Sequence, residues 1–226
     1  DTMTIGTKEL ITNKISLPSY TFGEEMINSL SHAIGTGLSI AGLVLLLIKS
    51  ISTGDPWKIA TSILFGTSLI LLYFMSTLYH ALPATIIKRI FRVFDHCTIY
   101  VLIAGTYTPF TLVSLRDSVG WVVMIIIWLA AIIGILLNAL DVERFAKASM
   151  VCYLAMGWCI VLTFRPLMSA IASNGILLLL LGGIAYTIGA ILYGIGSKHR
   201  YMHSVWHFFV LAGSILHFLT VYLYVL

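Results

Sequence analysis

The chain has 226 residues, of which 59% are apolar and 10% charged, and a formal net charge of +4. A soluble domain carries roughly 25% charged residues, so an ordinary soluble enzyme, a disordered chain and a nucleic-acid binder are excluded. The mean hydropathy of +1.01 instead describes an integral membrane protein, because a spanning helix needs about 20 mostly apolar residues.

Residues 1–24 are polar and mixed in charge. They read as a short N-terminal segment without a cleavable signal peptide, so the first apolar run is expected to act as its own insertion signal. Residues 25–226 read as one all-α transmembrane domain. Its apolar runs are 26–49, 57–79, 93–114, 119–140, 147–164, 175–197 and 202–226. They are continuous rather than alternating, which favours helices over barrel strands. Clusters such as Gly54-Asp55-Pro56, Pro83, Asp141 and Arg165-Pro166 separate them. The three cysteines, Cys97, Cys152 and Cys159, form no CxxC pair and read as small core residues.

Orientation follows from Lys and Arg. Lys8, Lys14, Lys88, Arg89, Arg92, Arg144, Lys147, Lys198 and Arg200 fall on the side of the N-terminus. Lys49, Lys58, Arg116 and Arg165 fall on the other. The N-terminus is therefore expected in the cytoplasm and the C-terminus outside, opposite to the usual arrangement of G-protein-coupled receptors.

Ionisable groups inside spans are costly and mark function. His80 ends the second run, Asp95 and His96 begin the third, and His203 and His207 begin the seventh. Asn28, Ser31 and His32 lie in the first turns of the first. With alternating helix directions all of them fall in one leaflet, roughly 9–15 Å from the midplane at the helical rise per residue. His203 and His207, at i and i+4, share a helix face about 6 Å apart. That spacing suits two imidazole ligands of one zinc. The segment His203-Ser204-Val205-Trp206-His207 lacks the internal Glu of zinc proteases, so a base must come from another helix. His80 is the natural third ligand, with Ser76 one turn before it. Asp95 could ligate the metal or hold and deprotonate a water beside it. Three histidines plus an open position is the pattern of a catalytic rather than a structural zinc, although other divalent metals suit the same donors. His32 reads as a hydrogen-bonding packing group and His96 as interfacial. His199 reads as solvated. His217 lies about 15 Å beyond His207 along the helix, too far to share its metal. Gly35/Gly37, Gly182/Gly183 and Gly194/Gly196 read as close helix contacts.

Three ordered segments carry a resemblance. Glu25-Met-Ile-Asn28-Ser-Leu-Ser31-His32, then Ser76-Thr-Leu-Tyr79-His80 with Phe94-Asp95-His96, then His203-Ser-Val-Trp206-His207 resemble the signatures of the progestin and adipoQ receptor superfamily. The short chain and Leu102-Ile-Ala-Gly105-Thr-Tyr-Thr-Pro109 resemble its bacterial branch, the hemolysin III family. The resemblance covers about residues 20–226. It implies seven helices, a cytoplasmic N-terminus and a location in the bacterial plasma membrane. It also implies zinc on His80, His203 and His207, with Asp95 and Ser76 supporting the site. Membrane lipids are the implied partners. A more distant likeness to alkaline ceramidases implies hydrolysis of a lipid amide or ester. A membrane-composition sensor with non-catalytic zinc and a cytolytic pore former are the competing expectations. The residues disfavour the pore, since no helix carries a polar stripe across the whole bilayer.

Overall fold

In a computed structural model of the chain, residues 16–196 and 199–226 are described. The expectations on Lys8, Lys14, Lys198 and the first fifteen residues lie outside them. Seven helices are long and apolar enough to cross a membrane: α1 (Phe22–Thr53), α2 (Pro56–Ala81), α3 (Ile86–Ser114), α4 (Gly120–Leu140), α5 (Val142–Ala170), α6 (Ser173–Gly196) and α7 (Met202–Val225). The chain is a multi-pass membrane protein, and its fold is the expected seven-helix bundle. α1 packs on α2 and α7, α2 on α3, α3 on α4 and α5, and α6 on α7. α3 is the most buried of the seven.

The helix ends are written locally. Thr21 and Glu24 form a capping box at the start of α1, which satisfies two free backbone donors. Gly54 closes α1 at φ +69°, a left-handed position that costs glycine nothing. Asp55 then accepts from the Trp57 N–H at 2.8 Å, with Pro56 at the first helical position of α2, where no N–H is needed. Asp141 caps α5 through the N–H groups of Glu143 and Arg144.

Two helices, α3 and α5, depart most from the apolar runs. α3 begins seven residues early, at Ile86, because a helical end carries Lys88, Arg89 and Arg92 beyond the apolar stretch. It finishes in a π turn, Phe110–Ser114, directly after Pro109, whose ring removes a backbone donor. The Thr106, Thr108 and Thr111 hydroxyls donate back to the carbonyls of Leu102, Ala104 and Tyr107. α5 is longer than expected and is broken at Cys159–Thr163 by a 3₁₀ turn. Arg165 and Pro166, expected in a loop, sit in the helical piece that follows, Phe164–Ala170. Pro166 fits there because first-turn N–H groups have no intrahelical partner. The break is stabilised from α3, where the Tyr107 hydroxyl reaches Met156 O at 2.6 Å and accepts from the Ile160 N–H at 2.7 Å.

Two other expectations need correction. Cys152 is exposed on the outer face of α5, while Cys97 is buried and Cys159 half-buried. Of the glycine pairs, Gly35, Gly182 and Gly196 lie hard against Tyr73, His217 and Met202, but Gly37 faces open space.

Candidate metal centre

α1, α2 and α7 bring their polar residues to one end of the bundle. His80, on the last turn of α2, and His203 and His207, on the first turns of α7, offer nitrogen atoms that all lie within 4.8 Å of one another. The His203 Nε2 is 3.1 Å from the Nε2 of His80 and 3.1 Å from that of His207. Zinc–nitrogen bonds of 2.0–2.1 Å in a tetrahedron place ligand nitrogens roughly 3.3 Å apart, so the cluster has the dimensions of a metal site.

The outward nitrogens set the tautomers. His80 Nδ1 faces Glu25 Oε2 at 2.6 Å. A carboxylate only accepts, so Nδ1 carries the proton and Nε2 a lone pair. His207 Nδ1 faces the Asn28 carbonyl at 3.2 Å and Ser31 Oγ at 3.3 Å, which again leaves its Nε2 lone pair facing inward. Two lone pairs thus converge on the third imidazole. One proton on His203 cannot satisfy both well, whereas a cation can. His203 Nδ1 is buried without a partner among the described residues. Three imidazoles are a donor set for zinc and for other late divalent metals, so a metal ion fits this cluster.

Asn28 ties the site together. Its Oδ1 accepts from Ser204 Oγ at 2.6 Å, its Nδ2 lies 3.5 Å from His80 Nδ1, and its carbonyl faces His207. Glu25 reaches onward to Lys88 Nζ at 2.7 Å, and this buried lysine also donates to Leu82 O at 3.0 Å. The carboxylate–histidine contact is the usual device for orienting a metal ligand. Sequence reasoning gave neither Glu25 nor Asn28 a role at the metal. Their signal was present in the first motif, one turn apart on α1.

The remaining polar groups divide. Ser76 is buried beside the cluster with its hydroxyl unpartnered among the described residues. Asp95 is not one of the three convergent ligands but lines a cavity of about 700 Å³ shared with Ser76, His203 and His207. Its carboxylate has no hydrogen-bond partner among the described residues. His32 stacks on His207 at 3.6 Å and meets Tyr73 edge-on at 5.0 Å. It packs as expected, but neither ring nitrogen finds a partner among the described residues, so the expected hydrogen bonds are not made. His96, expected at the interface, lines the cavity beside Asp95. His199 is exposed as expected. His217 donates through Nε2 to Leu179 O at 3.1 Å and also lines the cavity. Beyond the histidines the walls are mainly apolar side chains of α3, α5, α6 and α7, including Ile99, Ile103, Leu154, Leu180 and Val210.

Tyr20 covers the cluster from outside the bundle. Its ring stacks on His203 at 5.1 Å and tilts against His80 at 5.8 Å. Burial pushes its hydroxyl well above the usual tyrosine range, so it stays neutral.

Residues 20–218 match the family described as Haemolysin-III related. The chain is 41% identical to Hemolysin-3 of Bacillus cereus over 96% of its own length and 98% of the relative's. It is 42% identical to the Hemolysin-3 homolog of Bacillus subtilis over 91% and 96% of the two chains. A more distant relative, the human monocyte to macrophage differentiation factor, is 26% identical over 89% and 84%.

Proposed function

The chain belongs to the haemolysin III family, and from that premise we propose that it is a zinc-dependent hydrolase of lipid amide or ester bonds, acting near the inner leaflet. One observation carries this reading: three imidazoles with converging nitrogens stand at the end of a large apolar cavity that also holds the Asp95 carboxylate and the unpartnered Ser76 hydroxyl. His80, His203 and His207 are the metal ligands, and Glu25 and Asn28 hold two of those rings in the tautomer that presents Nε2. A zinc ion held there supplies Lewis acidity, polarising a carbonyl and making water acidic near neutral pH. Asp95, which lines the same cavity, takes the proton from the attacking water. It returns that proton to the departing amine or alcohol as the carbonyl–heteroatom bond breaks. The Ser76 hydroxyl orients the reacting group by hydrogen bonding, while the apolar walls hold the acyl chain and exclude bulk water. The excess of Lys and Arg around the histidine end supports a cytoplasmic position for it.

The names of the Bacillus relatives refer to haemolysis. The three histidines, Asp95 and Ser76 gather at one end, and the cavity walls beyond are mainly apolar, which supports lysis by lipid modification over an aqueous pore. The test is metal content followed by lipid analysis. Wild type should carry near one zinc per chain and His207→Ala none. Asp95→Asn should keep zinc yet lose release of fatty acid from a native lipid extract. Zinc-loaded wild type that leaves every lipid class unchanged, while a ceramidase control works, would sink the proposal.

A further inference from the structure

The histidine site faces two spaces. His203 and His207 line the apolar cavity, whereas His80, with Glu25 and Lys88, lines an open groove at the end of the bundle. The opposite wall of that groove is formed by the segment that precedes α1, including Leu17, Pro18 and Tyr20. Tyr20 and His80 therefore stand between groove and cavity.

The segment is fastened at both ends. At one end the Thr21–Glu24 capping box fixes it to α1, and Glu24 Oε1 also accepts from the Tyr201 N–H at 2.7 Å. At the other end the Ser16 N–H and hydroxyl both donate to Glu143 Oε1 on α5. Arg92 Nη1 on α3 donates to Ser16 O at 2.5 Å and to Glu143 Oε1 at 2.9 Å. The two fastenings differ in kind. Glu24 is buried, but the Glu143 side chain is 41% exposed. Partly solvated ion pairs are weak and are screened by salt, so the Ser16 end is the one that opens first.

We propose that residues 16–20 are a strap closing the aqueous side of the metal site, with Tyr20 as its plug and the Ser16–Glu143–Arg92 contact as its latch. Metal and water then reach the histidines from the groove when the latch opens. Tyr20 is a positioning residue: it touches His203 and His80 by ring packing alone, with no hydrogen bond to either. The inference rests on the metal reading above. It adds an entry route and a gate to it.

The experiment follows zinc release from the full-length chain in detergent into excess fluorescent chelator. Tyr20→Ala and Glu143→Gln should each accelerate release by about tenfold or more, because the shell around a metal controls solvent access. Tyr20→Phe should release like wild type, since the stack needs no hydroxyl. Raising salt from about 0.05 to about 0.5 M should speed release from wild type but not from Glu143→Gln, as screening acts on the ionic part of the latch, which the variant lacks. A second arm needs no metal. In the metal-free chain the same two variants should expose His80 and His203 to a water-soluble imidazole reagent, mapped by mass spectrometry. Glu143 is remote from the core, so its variant tests the idea even if Tyr20→Ala folds poorly. Release rates within twofold of wild type, a salt-independent wild type, or unchanged histidine labelling would overturn the strap. Failure of wild type to bind zinc, with labelling still raised in the variants, would overturn the metal reading and leave the strap standing.

Discussion

Glu25 offers the sharpest test of how the site is built. Its carboxylate has two duties: it accepts from His80 Nδ1 at 2.6 Å and from Lys88 Nζ at 2.7 Å. Glu25→Ala removes the group that fixes the His80 tautomer and leaves Lys88, 5% exposed, without its counter-charge. Loss of such a supporting carboxylate costs about 10–100-fold in metal affinity, equivalent to about 1.4–2.8 kcal/mol. The Glu25 side chain is 20% exposed, and that partial solvation places the expectation at the lower half of this range. Glu25→Gln keeps an acceptor oxygen for His80 but not the charge for Lys88, so its affinity loss should be smaller.

The two duties separate in a double variant. Lys88→Met in the Glu25→Ala background removes the stranded ammonium, so thermal stability should recover while zinc affinity stays low. Competition titration against a chelator of known affinity measures the second quantity, and thermal unfolding in detergent the first. Zinc affinity of Glu25→Ala within twofold of wild type would refute the orienting role. If Lys88→Met restored affinity along with stability, Glu25 would act only by keeping the helix ends together.

Other consequences follow from the same contacts. His203→Ala should lose the metal, while His32→Ala, which removes only a stacking partner of His207, should keep near one zinc per chain by elemental analysis. Tyr107→Phe strips the hydroxyl that serves the broken backbone of α5 and should cost about 1–3 kcal/mol, read as a lower unfolding midpoint with zinc content unchanged. Gly182→Ala places a methyl 2.2 Å from the His217 ring carbon. It should displace that ring into the cavity and weaken lipid binding by native mass spectrometry without removing zinc. If the histidine end faces the cytoplasm, Ser52→Cys at the opposite end of α1 should react with an impermeant maleimide on intact cells, and a cysteine at Arg200 should react only after lysis.

The histidine set was legible because two simple periodicities act together. The i,i+4 spacing of His203 and His207 fixes a shared face, and alternating helix direction brings His80 to the same depth. What the sequence hid depends on rotation about helix axes and on backbone irregularity. The Glu25–His80 contact joins residues 55 apart, and nothing in an apolar run reports which way Glu25 turns. His96 was placed 100° away from Asp95 by ideal geometry, yet a wide cavity is lined by both. The polar link in which Asn138 accepts from Ser149 at 2.6 Å and donates to Tyr153 at 3.1 Å ties α4 to α5 without any motif. Tyr20 lay in a polar segment read only for its charge. The early start of α3 was hidden for the opposite reason: its lysine and arginines end the apolar run before they end the helix.

The distribution of unmet hydrogen bonds bears on function more directly than the fold does. Among the described residues seven buried side-chain polar atoms lack a partner, and five of them belong to His32, Ser76, His203 and His217, all on the wall of one cavity. Each such atom costs about 1–3 kcal/mol when left dry, and native interiors carry few of them. Elsewhere the bundle meets its polar groups with care: Tyr107 serves the α5 break, and the Tyr73 and Tyr186 hydroxyls meet at Ser214, 2.7 and 2.6 Å away. Chance would not gather the exceptions in the space that the three histidines also face. Four of the five, on His32, Ser76 and His203, lie at the metal end, and the fifth, on His217, about 15 Å further along α7. The cavity is therefore suited to a molecule with its main polar group at the metal end and hydrocarbon beyond it. That is the shape of a lipid whose acyl bond lies at the histidines. On the proposed reading water must also reach that bond, and the groove on the far side of His80 and Tyr20 would supply the aqueous face. The site thus sits where an apolar compartment and an aqueous one come within a side chain of each other, which is the requirement for hydrolysing a bond that resides in a membrane.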